Sequence, residues 1–76
     1  MNVSIIGAGS MGTALSVLLS KNGHQVRMWS RFIEEVEMLK REREHIHKLP
    51  GVKVPEDVLC TADLEEGLKD CGMVVL

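Results

Sequence analysis

The sequence predicts an α/β chain built on a doubly wound parallel sheet, of which it supplies the amino-terminal part. Three observations carry this. Short apolar runs alternate with amphipathic helical stretches along the whole length, the pattern of successive βαβ units. The first run, Val3 to Ile6, breaks directly into Gly7-Ala8-Gly9-Ser10-Met11-Gly12 and then into a helical pattern. The runs near the two ends, Val3-Ser4-Ile5-Ile6 and Met73-Val74-Val75-Leu76, are almost continuously apolar, as strands covered on both faces are.

Asn2 to Ile6 is the first strand, with β-branched Val3, Ile5 and Ile6 and one polar interruption at Ser4. From Ser10, the residues Met11, Ala14, Leu15 and Leu18 recur at helical spacing, and Val17 and Leu19 widen the stripe. This stripe is expected to face the sheet. Asn22-Gly23 ends the helix, because glycine suits the left-handed position there. His24 follows the turn and is expected at the surface. Gln25 to Trp29 alternates as a second strand and closes one βαβ unit within roughly 30 residues.

Ser30 stands where a helix N-cap would, and Phe32, Ile33, Val36 and Leu39 form the apolar stripe of a second helix expected to reach the mid-forties. Its outer face carries Glu37 with Arg41 and Glu44 with Lys48, acid before base at i, i+4. Leu49-Pro50-Gly51 stops it, since proline disfavours helical geometry in the residue before it. Val52 to Pro55 reads as a connection or an edge, and Val58 to Thr61 as a third strand. Asp63 caps a short helix from Leu64 to Lys69, with Glu65 and Glu66 in the first turn where the helix dipole favours acids. Asp70-Cys71-Gly72 breaks it, and Met73 to Leu76 forms a fourth strand. The expected strand order is 3-2-1-4 with helices on both faces, and residues 1–76 read as the amino-terminal part of one domain.

Composition excludes several classes. A 76-residue chain with 45% apolar and 26% charged residues is ordinary for a globular domain. Its net charge of -2, with signs interspersed, offers neither a nucleic-acid stripe nor a polybasic membrane patch. No apolar run approaches the roughly 20 residues of a membrane span, and the amino terminus lacks the pattern of a signal peptide. Cytoplasm is the expected compartment. Cys60 and Cys71 have no paired spacing and are expected to be free thiols packed as small apolar groups. His45 and His47, two apart on the expected helix, would point to nearly opposite sides, so no metal site is expected.

The glycine spacing carries the functional reading. In a strand-to-helix turn of the form G-x-G-x-x-G, the first glycine permits the reversal, and the second removes a Cβ that would block a pyrophosphate. The third allows close packing of helix on strand. The helix N-terminus offers unpaired N–H groups and positive dipole to the phosphates. Gly7, Gly9, Ser10, Met11 and Gly12 are therefore the candidate cradle of a dinucleotide in a Rossmann-type fold. The Ser10 hydroxyl is a candidate phosphate donor, with helix capping as its alternative role. An acid at the end of the second strand would bind the 2′-hydroxyl of NAD; this chain has Ser30 and Arg31 there. Arg31 offers a planar donor fork to a 2′-phosphate and Ser30 a further hydroxyl, so both are candidate cofactor contacts, NADP is favoured and NAD allowed. No residue is placed for proton transfer, and no catalytic residue is assigned.

Gly7-Ala-Gly-Ser-Met-Gly-Thr-Ala-Leu15, Asn22-Gly-His-Gln-Val26, Met28-Trp-Ser-Arg31 and Leu49-Pro-Gly51 together resemble the amino-terminal domain of the NAD(P)-dependent glycerol-3-phosphate dehydrogenase family. The resemblance runs over essentially the whole chain. It implies reversible hydride transfer between a nicotinamide cofactor and C2 of glycerol 3-phosphate, giving dihydroxyacetone phosphate, in support of phospholipid synthesis. The cofactor contacts it implies fall on Gly7, Gly9, Ser10, Met11, Gly12 and Arg31. Many members have an aromatic residue at the position of Met11, an Asn at that of His45 and a Tyr at that of Lys48, where a lysine could still approach a phosphate. The family's catalytic lysines and substrate-phosphate groups lie beyond Leu76, so the substrate domain is expected outside this chain and the fragment alone is expected to be inactive. A small phosphorylated substrate is expected for the full-length protein, for which homo-oligomeric assembly is open. The alternatives are a reductase of the ketopantoate or pyrroline-5-carboxylate type, which the Leu-Pro-Gly segment argues against, and a non-catalytic dinucleotide-binding module.

Overall fold

The computed structural model describes residues 1–76. Seven elements follow one another: β1 (Asn2–Ile6), α1 (Ser10–Lys21), β2 (Gln25–Trp29), α2 (Ile33–Glu42), β3 (Leu59–Thr61), α3 (Leu64–Leu68) and β4 (Met73–Val75). The strands form one sheet in the order β3-β2-β1-β4, and every pairing is parallel. The doubly wound topology and strand order are those expected.

Register explains the two layers. Ile5 pairs with Met28 and Met28 with Cys60, so these three side chains form a row on one face. That row is buried beneath α1 and α2. The neighbouring row points the other way, where the Ser4 hydroxyl donates to the Gly67 carbonyl of α3 at 2.5 Å. The Trp29 indole N–H donates to the Ala62 carbonyl at 3.0 Å on the same side. Val3, Ile5, Val26, Met28, Val36, Leu39 and Cys60 belong to one continuous core, and its burial supplies the main favourable contribution to folding.

Helix α1 turns a different face to the sheet from the one its apolar stripe predicts. Thr13, Ser16 and Val17 are buried, whereas Met11 and Leu18 are exposed. The rotation is set by Gly12, which packs against the Gly7 carbonyl and Ile5. An approach this close selects small side chains at the contact. Ser16 satisfies its hydroxyl by donating to the Thr13 carbonyl at 2.7 Å.

Helix α2 is shorter than expected. It ends at Glu42, and Arg43 adopts a left-handed conformation with φ 51°. The Arg43 guanidinium holds that turn by donating to the carbonyls of Pro55 and Val58. The expected Glu44–Lys48 pair does not form, because the two residues are no longer on one helix. Glu44 instead accepts the Gly51 N–H at 3.0 Å and pairs with Lys53 at 3.1 Å. Arg41 pairs with Glu42 rather than Glu37. Within the expected stripe Val36 and Leu39 are buried, while Phe32 and Ile33 are exposed at the helix entry.

The smaller elements follow their caps. Asp63 accepts the N–H groups of Glu65 and Glu66 and starts α3. Gly23 takes φ 88° after α1. His24 is half-buried rather than exposed. Both cysteines are free, Cys60 buried and Cys71 partly so. β4 lies at the sheet edge with Met73 and Val74 exposed, so the strand expected to be covered on both faces is open here. No helix is long and apolar enough to cross a membrane.

Candidate functional site

The site lies at the carboxyl ends of β1 and β2. β1 ends at Ile6, and the chain reverses at Gly7, whose φ of 126° is a conformation L side chains rarely adopt. The Gly7 N–H continues the sheet by donating to the Trp29 carbonyl at 2.8 Å. Gly9 is the N-cap of α1 and provides no side-chain cap. The first helical bond runs from the Thr13 N–H to the Gly9 carbonyl at 2.9 Å. The N–H groups of Ser10, Met11 and Gly12 therefore precede the helical ladder, at the positive end of the dipole.

The three glycines have different surroundings. A Cβ on Gly12 would lie 2.0 Å from the Gly7 carbonyl oxygen, so that position is closed by the protein itself. A Cβ on Gly9 would meet nothing within 4 Å, although its φ of −74° is open to any residue. The protein's own packing gives no reason for glycine there. An open cradle beside unpaired N–H groups is the arrangement an anionic group fits.

Two clefts open from this turn. One, of about 440 Å³, runs between the turn and β4 and is lined by Gly9, Ser10, Met11, Leu15 and Val75 among others. The second, of about 260 Å³, runs toward the end of β2 and is lined by Gly7, Gly9, Ser30, Arg31, Glu35 and Lys48. All seven site residues expected from the sequence line one or both. Strand order reverses between β1 and β4, and ligands of such sheets bind outside the carboxyl ends at that switch point.

The side chains differ in availability. Arg31 is exposed, with its guanidinium 4.8 Å from the centroid of the Phe32 ring. Ser10 occupies the first helical position and does not cap the helix. Ser30 is buried, and its hydroxyl is committed: it donates to Glu35 Oε1 at 2.5 Å and accepts the Phe32 N–H at 3.1 Å. It therefore braces the entry to α2 in place of capping it, and its one hydroxyl proton is already used.

Sequence reasoning reached Lys48 only through the family resemblance, and missed the setting of His45. Lys48 lines both clefts, brought there by the turn that follows the early end of α2. His45 is not on a helix and is 2% exposed, with Nε2 2.7 Å from Glu35 Oε2. Its ring meets His47 edge-on at 6.4 Å. The helical spacing used to separate the two histidines therefore does not apply. The Leu-Pro-Gly segment after Lys48 was the only signal in the chain that this stretch folds back.

The fold and the glycine turn define the amino-terminal part of a Rossmann-type α/β domain. Residues 2–76 match the family described as NAD-dependent glycerol-3-phosphate dehydrogenase N-terminus, and the chain belongs to that family. It is 55% identical over 74 residues to a glycerol-3-phosphate dehydrogenase [NAD(P)+] of Agathobacter rectalis, covering 97% of this chain and 22% of that one. The corresponding protein of Neisseria gonorrhoeae is 42% identical over 76 residues, covering 100% of this chain and 23% of its own. Among solved structures, glycerol-3-phosphate dehydrogenase from Coxiella burnetii superposes with a TM-score of 0.87 at 34% identity, over 97% of this chain and 24% of that one. The chain thus spans less than a quarter of the length of these relatives.

Proposed function

We propose that this chain is the amino-terminal part of the dinucleotide-binding domain of an NAD(P)-dependent glycerol-3-phosphate dehydrogenase, with the substrate-binding and catalytic groups elsewhere in the full-length protein. The reaction is reversible hydride transfer between the nicotinamide cofactor and C2 of glycerol 3-phosphate, yielding dihydroxyacetone phosphate for phospholipid synthesis in the cytoplasm. Family membership supports the activity. The exposure of Met11, Leu18, Met73 and Val74 supports a larger domain, because apolar side chains gathered on α1 and an edge strand are surfaces that further chain would cover.

The observation that carries the cofactor reading is the shared cleft of the glycine turn and Arg31. The N–H groups of Ser10, Met11 and Gly12, which line the adjoining cleft that shares Gly7 and Gly9 with it, would hold the pyrophosphate at the open position of Gly9. Arg31 takes the 2′-phosphate of NADP, and Lys48 adds a second cation. NAD, lacking that phosphate, binds through the turn alone and more weakly. Ser30 serves by fixing the backbone that presents Arg31, since its hydroxyl is occupied. The nicotinamide supplies hydride chemistry when bound; this chain's residues bind and orient the dinucleotide.

The test compares NADPH and NADH affinities of the full-length protein before and after Arg31→Ala. NADPH binding is expected to weaken by at least about tenfold, the scale of one charge-assisted bidentate contact, with NADH little changed. An equal loss for both removes the 2′-phosphate assignment. Turnover of dihydroxyacetone phosphate by the full-length protein tests the substrate.

A further inference from the structure

The cleft beside Arg31 contains an acid that neither the glycine motif nor the end of β2 announces. Glu35, in the first turn of α2, lines it together with Ser30, Arg31 and Lys48. Its side chain is 15% exposed, and both oxygens are held from within the protein. Oε1 accepts the Ser30 hydroxyl at 2.5 Å, and Oε2 faces Nε2 of His45 at 2.7 Å. The Lys48 N–H points at Nδ1 of the same ring at 3.3 Å. That contact makes Nε2 the donor to Glu35 when the imidazole is neutral.

The carboxylate is ionised. Burial by itself would raise its pKa, but the hydrogen bonds from Ser30 and His45, with the nearby charge of Lys48, outweigh burial and hold it below the ordinary carboxylate range. The charged groups around the pair come from three segments. Arg31 lies in the turn after β2, Glu34 on α2, and His47 and Lys48 on the turn after α2. The glycine turn contributes the positive end of α1 and no charged side chain.

A 2′-phosphate carries roughly one to two negative charges near neutral pH, like other phosphate monoesters, whereas a ribose 2′-hydroxyl carries none. A fixed carboxylate in the same cleft opposes the first and is nearly indifferent to the second. With each oxygen already accepting one bond, from Ser30 and from His45, it is also less available as an acceptor for the hydroxyl. Resting on the proposal that this cleft takes the 2′-phosphate, we infer that Glu35, clasped by Ser30 and His45, is a specificity-determining residue. Its charge partly offsets Arg31 and Lys48 and narrows the preference for NADP over NAD.

The test measures dissociation constants of the full-length protein for NADPH and NADH, at low and high salt, in the wild type, Glu35→Gln, His45→Asn and Arg31→Ala. Removing one solvent-screened charge from the cleft is expected to tighten NADPH about fivefold and to change NADH by less than about twofold. The gain shrinks as salt rises. His45→Asn alters the same contact while keeping the carboxylate, and does not tighten NADPH. Glu35→Met is a second neutral variant of similar length, with the same expected outcome, should Glu35→Gln not fold. The inference is overturned by an unchanged NADPH to NADH ratio in the neutral variants, by an equal gain in His45→Asn, or by a gain indifferent to salt. A selective loss of NADPH in Arg31→Ala alongside any of these leaves the cleft assignment standing and removes only the role of Glu35. An equal loss of both cofactors in Arg31→Ala removes the cleft assignment itself.

Discussion

A Cβ built on Gly12 falls 2.0 Å from the carbonyl oxygen of Gly7 and 3.3 Å from Cγ2 of Ile5. The first distance is far inside van der Waals contact, and its partner is backbone that also bonds Trp29 through its N–H. Neither side can yield cheaply. Gly12→Ala must push α1 away from the sheet and disturb the burial of Thr13, Ser16 and Val17. A destabilisation of about 3 kcal/mol is expected, at the upper end of overpacking costs, read as a fall in the urea midpoint of unfolding.

Gly9→Ala separates folding from binding. Its Cβ meets no protein atom within 4 Å and its φ is ordinary. The change in stability is expected to stay within about 1 kcal/mol, the difference between glycine and alanine at an N-cap. The same methyl occupies the space in front of the first-turn N–H groups. NADPH and NADH should both weaken by at least about tenfold, unlike the selective loss expected for Arg31→Ala. Calorimetric titration of both cofactors distinguishes the two patterns, and unaltered affinity would remove Gly9 from the cradle.

Much of the fold was legible because it rests on local chemistry. Gly7 and Gly23 take the left-handed backbone their positions required, and Asp63 caps α3. Apolar runs mark β1, β3 and β4, and alternation marks β2. The order β3-β2-β1-β4 follows from the preference of parallel crossovers for one hand and from the need to bury both faces. What failed was rotational and long-range. The apolar stripe of α1 misjudged its buried face because contact at Gly12, not apolar content, sets how the helix turns. The end of α2 was missed because Arg43 gains its carbonyl partners from Pro55 and Val58, residues a local pattern does not connect to it. With that end misplaced, His45 and Lys48 stayed on an imagined helix face. The glycine turn that lines the candidate site was readable from spacing; the Glu35–His45 clasp beside it was not.

The two thiols should react very differently. Cys60 is 1% exposed; burial pushes its pKa up, against the opposing influence of Arg43 and Lys40. Both access and thiolate fraction are therefore low. Cys71 is partly exposed before the edge strand. Under native conditions, iodoacetamide is expected to modify Cys71 at least roughly a hundredfold faster than Cys60, whose modification requires opening of the core. Peptide mass mapping over time reads the two sites, and comparable rates would show that β3 is not held closed.

Glu35 should leave a signature in acid. Its pKa in the folded protein lies below its ordinary value of 4.5, because the bonds from Ser30 and His45 more than offset burial. A carboxylate with a depressed folded pKa binds its proton more readily in the unfolded chain. Its contribution to stability is complete above about 4.5 and is lost as pH falls through the lower, folded value. Glu35→Gln carries no titrating group and cannot show that loss. Unfolding free energies measured from about pH 7 to about pH 3 are therefore expected to differ by a constant amount down to about pH 4.5 and to converge below it. Since Ser30 is one of the two clasping groups, Ser30→Ala should retain the convergence at reduced size. Parallel pH profiles for wild type and Glu35→Gln would mean that the clasp does not depress the Glu35 pKa. A wild type that instead loses stability relative to Glu35→Gln as pH rises through about 4.5 would mean that the clasp holds a protonated acid, and would remove the charge on which Glu35's effect on cofactor choice depends.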